Sequence, residues 1–320
     1  MPRGPWAVGS NQYQKRPGKG LVENNESTLE LEPEVDQIRQ PSNYSPDLVE
    51  ARNTLLVVLQ SLEPHRDALV LIGAQAVHER TKGLVDVIST ATSDADIGVD
   101  PALLATGPDL FEAMLAAGFE RASNDRPGIY SLGGALNKEG RPLPPSIDLI
   151  APEASAGKGS RAATLSGHRR GSVSRANGIE MAMLDKDVFD LGPIGQEDGP
   201  TIRVNVAGTG ALLAAKAWKL SDRLADAAAG KGHRVRPKDA GDVWRLMATS
   251  DPAHVRETFD RCARDGLYGA SVEQGWRFLV DQFGSGGRGV GLAVRSMDTE
   301  VDRESVTETI GNWIEAFVRP

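Results

Sequence analysis

Apolar side chains change their spacing along this chain, and the changes mark its elements. Up to about residue 45 large apolar groups are sparse, and Glu23, Glu26, Glu30, Glu32, Glu34 and Asp36 are answered on their C-terminal side only by Arg39. A segment that buries so little cannot offset the entropy of ordering it, so residues 1–45 read as a disordered or loosely docked tail. From Ser45-Pro46 the pattern turns helical. Leu48, Ala51, Leu55, Val58, Leu59 and Leu62 recur at three- and four-residue intervals behind a serine cap and a proline suited to the first helical position. The uninterrupted run Ala68–Ile72, closed by Gly73, predicts a buried strand, with a helix over 75–82 after it. Next, Ala95, Ile97 and Val99 alternate with Asp94, Asp96 and Gly98, which predicts a strand carrying both aspartates on one face. A helix over 108–117 and strands near 128–132, 146–150 and 201–204 follow; in the strand at 146–150, Ile147 and Leu149 face one way and Asp148 the other.

Past residue 207 the period becomes helical. Segments 210–224, 237–248, 253–266, 272–283 and 305–318 predict a helical bundle, while GSGGRGVG at 284–291, with no strand before it, reads as a loop. The expected fold class is therefore α+β, a mixed sheet with flanking helices over 46–206 and a C-terminal helical domain over 207–320. No stretch approaches the roughly 20 apolar residues that cross a bilayer, and the basic N-terminus lacks the apolar centre of a secretory signal. The expectation is a cytoplasmic protein with no membrane partner.

Composition changes this picture in two places. A single cysteine, Cys262, excludes an internal disulfide and, without companion Cys or His ligands, a structural zinc site; it reads as a buried helix residue. The net charge of -8 argues against a chain that coats nucleic acid indiscriminately, so any such contact must be local. The longest basic stretch without acids is Lys158, Arg161, Arg169, Arg170 and Arg175, set among Gly, Ser and Ala. It is either a solvated connector or a grip on the phosphate backbone of RNA. AGKGS at 156–160 is no P-loop, because Pro152 stands where the first glycine belongs and Gly159 follows the lysine. The five histidines share no metal spacing.

The carboxylates carry the chemistry. Asp94 and Asp96, about 6.8 Å apart along one strand face, can each reach toward a pair of Mg²⁺ ions held about 3.5 to 4 Å apart. Asp148, also projecting from an apolar strand, completes the set if the strands are neighbours. Hard oxygen ligands that leave room for substrate phosphates suit Mg²⁺ and phosphoryl or nucleotidyl transfer. An Asp-x-Asp alone is most often a solvated face; the preceding strand, glycine and helix give this one its meaning.

The segments LIGAQAVHER (71–80), TSDADIGV (92–99), IDLI (147–150), AKAWKLSDR (215–223) and RPKDAGDVWRL (236–246) resemble the nucleotidyltransferase superfamily and, within it, the AbiEii/AbiGii-type toxin family. That family has a Gly-Gly or Gly-Ser turn before a helix, a Thr/Ser-x-Asp-x-Asp strand, a third aspartate on a later strand, and two helices bearing Lys-x-x-x-Leu-x-Asp-Arg and Lys-Asp-x-x-Asp. Lys216, Leu220, Asp222, Arg223, Lys238, Asp239 and Asp242 match the two helices position by position, and the resemblance covers about residues 68–248. It departs at Ala74, the second residue of the turn, and at Thr90, where an arginine is expected.

The resemblance implies a nucleotidyltransferase-like sheet domain and transfer of a nucleotide from an NTP, with two Mg²⁺ ions, to the hydroxyl of an RNA such as tRNA. It also implies a toxin of a toxin–antitoxin or phage-defence system, with a cognate antitoxin as partner. Gly73 and Ala74 would cradle phosphate through backbone N–H groups, and Lys216 and Arg223 would offset triphosphate charge. From the residues themselves, Lys216 could instead snorkel to water, Arg223 could simply pair with Asp239, and Lys238, Asp239 and Asp242 could serve as helix caps and ion-pair partners. A small hydroxylated acceptor and a non-catalytic nucleotide-, RNA- or protein-binding member, the latter motivated by Ala74 and Thr90, stay open as alternatives.

Overall fold

The Ser45 hydroxyl accepts a hydrogen bond from the Leu48 amide and Pro46 takes the first turn of α1 (Pro46–Ser61), the start signal expected of this pair. The structure, a computed structural model, describes residues 44–84, 92–123, 126–132, 145–157, 161–196, 198–297 and 301–319. Nearly all of the tail expected over 1–45 lies outside the described residues, as do Lys158 and Thr90.

After α1 come β1 (Leu69–Ile72), α2 (Gly73–Arg80), β2 (Asp94–Val99) and α3 (Leu110–Ala116). They are followed by β3 (Phe119–Ser123), β4 (Arg126–Leu132), β5 (Ser146–Pro152), β6 (Ser174–Ala176), β7 (Lys186–Leu191) and β8 (Ile202–Ala207). The strands form one mixed sheet in the order β3-β4-β5-β2-β1-β8-β7, with β6 joining the far half of β5. β2 runs parallel to β5 and antiparallel to β1. The apolar positions Ala95, Ile97, Val99, Ile147, Leu149 and Ala151 are all buried, and α1 packs over β2, β5 and β8 with Leu55, Leu56 and Val58 buried.

The structure adds β3, β6 and β7 to the strands legible in the pattern. β3 and β7 are the sheet edges, where one flank meets water and charged residues interrupt the alternation; Val188 of β7 is more than half exposed. β6 is three residues long and lies inside the segment read as a basic loop.

The C-terminal part comprises α4 (Thr209–Ala228), α5 (Pro237–Ala248), α6 (Pro252–Cys262), α7 (Gly269–Phe283), α8 (Arg288–Met297) and α9 (Arg303–Val318). Cys262 is free and buried on α6. The loop reading of 284–291 is corrected: only the turn around Gly284–Gly287 is non-helical, and α8 starts at Arg288. Its helical period was hidden because Gly289 occupies a buried position, where a Cβ would lie 2.8 Å from the Phe283 ring, while Leu292, Ala293 and Met297 complete the buried stripe. α8 packs closely on α5 through Gly241, where a Cβ would stand 2.3 Å from Ser296 Oγ. The architecture is α+β, a mixed sheet with flanking helices and then a run of helices. One buried apolar cluster extends from Leu55 through Val206 and Leu213 to Phe317. Among the described residues no helix is long and apolar enough to cross a membrane.

Candidate functional site

Strand register assembles the carboxylates. β2 and β5 align so that Asp94 lies opposite Ser146 and Asp96 opposite Asp148, and residues paired across neighbouring strands share a face. Asp96 and Asp148 are thus side by side, with Asp94 one strand repeat away. β1 places Ile72 opposite Asp96, and the chain then turns at Gly73 with φ of 69°. A Cβ at Gly73 would lie 1.9 Å from Asp96 Oδ2, so this carboxylate occupies the space a side chain would need. Glycine is required here twice over, by the left-handed backbone and by the carboxylate. α2 begins at this turn and no side chain caps it, which leaves the N–H groups of its first turn to another acceptor.

Asp94 is exposed at the start of β2, its Oδ1 accepting from Ser146 Oγ at 3.0 Å and Ser93 Oγ at 3.2 Å. Asp148 is pushed up to about 8, first by burial and then by the charges of Asp96 and Asp94, against the opposing pull of Lys219. Burial also raises Asp96 and Asp94 adds to it, while Lys219, Lys216 and Lys238 oppose. Burial outweighs the nearby cations at this corner.

α4 and α5 supply cations beside it. Lys216 is buried rather than snorkelling, but its Nζ rests 2.5 Å from Asp242 Oδ2 and 3.6 Å from Asp239 Oδ1. Burial alone would lower this ammonium; Asp242 and Asp239 outweigh that, Asp96 adds to them, and the net displacement is upward. Asp242, wholly buried, also accepts from Arg245 Nη1 at 2.9 Å. Arg223 pairs with Asp239, the structural alternative open to it from the sequence. Burial lowers Lys238, helped by Lys216 and Lys219 and opposed chiefly by Asp242.

Lys219 was not singled out in the sequence. It is about half exposed, its Nζ is 3.5 Å from Asp239 Oδ1, and it is the leading cation acting on Asp96. The signal that points to it is its place three residues after Lys216, one turn along the same helix face.

The described arginines of the basic segment do not converge on this corner. Arg169 pairs with Glu112, donates its backbone N–H to Asp109 Oδ2 at 2.5 Å, and lies over the Phe111 ring, all at α3. Arg175 pairs across from Ala151, on the sheet face opposite to Asp148, with its guanidinium 3.1 Å from Glu153. Arg161 and Arg170 are exposed.

Among the described residues no three His, Cys, Asp or Glu side chains are gathered as a ready-made metal cage. The donors present suit Mg²⁺ in another way, since that ion commonly takes one or two carboxylates and completes its shell with water and substrate phosphate. Asp96 and Asp148, adjacent on neighbouring strands, fit that requirement. No family model, curated protein or solved structure matches this chain.

Proposed function

We propose that this protein is a nucleotidyltransferase that moves a nucleotide from an NTP to an acceptor hydroxyl. The observation that carries the reading is the pairing of Asp96 with Asp148 across parallel strands, with the Gly73 turn folded onto the Asp96 carboxylate. Asp96 and Asp148 would hold Mg²⁺, which when bound supplies Lewis-acid stabilisation of the phosphoryl oxygens, with Asp94 one strand repeat away rather than gathered with them. Asp148 would also accept the proton of the attacking hydroxyl. The first-turn N–H groups of α2 at Gly73 and Ala74 would receive phosphate oxygens. Lys219 and Lys238 would offset triphosphate charge, while Lys216 and Arg223, held on Asp242 and Asp239, would fix the positive edge of the site.

The resemblance supports RNA, such as tRNA, as acceptor and a toxin role with a cognate antitoxin; a small hydroxylated acceptor uses the same corner. A second reading, binding of nucleotide without transfer, is favoured by Lys216, whose ammonium is already engaged by Asp242. Incubating the protein with each labelled NTP, total RNA and Mg²⁺ separates them. Label transfer that vanishes in Asp96→Asn is the expected result; an NTP-dependent rise in melting temperature with no transfer under any combination selects the binding reading.

A further inference from the structure

The positive edge of the site continues past Lys238. The turn between α4 and α5, residues 230–238, carries Lys231, Arg234, Arg236 and Lys238 and no acid. Facing it across a cleft of about 460 Å³, α8 presents Arg288 and Arg295, with Val235, Pro237 and Leu292 among the lining. Seven residues on a helix is two turns, so these arginines project from one side about 10 Å apart. Close packing of α8 at Gly241 holds them against the start of α5. Lys231 and Arg234 share Asp226, whereas Arg236, Arg288 and Arg295 are exposed and no described carboxylate pairs with them.

In a chain of net charge -8, a cleft lined by Arg288 and Arg295, with the exposed Arg236 on the neighbouring turn, concentrates positive potential where the rest of the surface opposes it. Its natural ligand is a polyanion narrow enough to enter a cleft, with charges repeating along its length. We propose that this cleft grips the phosphate backbone of a single-stranded nucleic acid. The cleft includes Pro237, the immediate neighbour of Lys238 at the start of α5. The grip does not rest on the nucleotidyltransferase reading.

The test is fluorescence anisotropy of the full chain with labelled oligouridylate and oligothymidylate across a salt series. Arg288→Ala/Arg295→Ala should weaken binding most at low salt and reduce the log–log salt slope by about 1.4, two contacts at about 0.7 each. Its melting temperature should be unchanged, because both side chains are exposed. Arg277→Ala/Arg319→Ala, which removes the same charge from α7 and the end of α9, should leave the slope intact. Tighter oligouridylate binding identifies RNA as the strand, and equal binding a reader of backbone alone. The proposal is overturned if wild type binds neither strand at low salt, if the α8 double variant keeps its slope, or if polyglutamate or anionic vesicles compete as well as the oligonucleotide at equal charge. Asp96→Asn should retain the binding, so failure of transfer and failure of the grip are separate results.

Discussion

Charge is handled in opposite ways on the two sides of this site. On α4 and α5 the buried charges are matched: Lys216 and Arg245 share Asp242 at 2.5 and 2.9 Å, and Arg223 pairs with Asp239. At the corner of β1, β2 and β5, like charges stand together, Asp96 beside Asp148 with Asp94 a strand repeat away, and both Asp96 and Asp148 are pushed up by burial. Matched buried charges set the relative position of two helices. Like charges buried together cost stability in the free protein and favour an incoming cation, so the two clusters divide into a scaffold and a receptor.

Breaking the matched side should have the largest effect. Asp242→Ala strands two buried cations, and urea unfolding should report a loss of about 3 to 5 kcal/mol; a variant as stable as wild type would show that the network is not the scaffold. Lys219→Ala tests the boundary between the clusters. Its half-exposed ammonium is free to turn from Asp239 to phosphate, and calorimetric titration should show NTP affinity reduced by about 1.5 to 3 kcal/mol with little change in melting temperature. Unaltered affinity would confine Lys219 to its pairing with Asp239. The smallest effect, of opposite sign, belongs to the unmatched side. Asp96→Asn removes a carboxylate that burial disfavours, so the metal-free protein in chelator should melt slightly higher than wild type. A fall in melting temperature would mean that Asp96 is part of the scaffold after all.

The corner itself was legible because its parts are local. A serine and proline before a helical period, four apolar residues ended by a glycine, and two aspartates at i and i+2 are patterns a few residues long, and steric and hydrogen-bonding rules act on them directly. Edge strands β3 and β7 escaped because solvent on one flank removes the alternation that betrays a strand, and α8 escaped because the buried Gly289 carries no hydrophobic signal.

What the sequence alone determined is the division into a sheet region and a helical region, the shared face of Asp94 and Asp96, and the lysine and aspartate spacing on α4 and α5. Tertiary structure decided the rest. The one-residue accuracy that puts Asp148 beside Asp96 is a property of strand register, and the Cβ-free space at Gly73 has meaning only with that carboxylate folded into it. Whether a lysine meets phosphate, water or an aspartate depends on a neighbouring helix more than 20 residues away; Lys216 met Asp242. Likewise the arginines of α8 came to face the α4–α5 turn only because Gly241 lets two helices approach, and no local pattern encodes that distance.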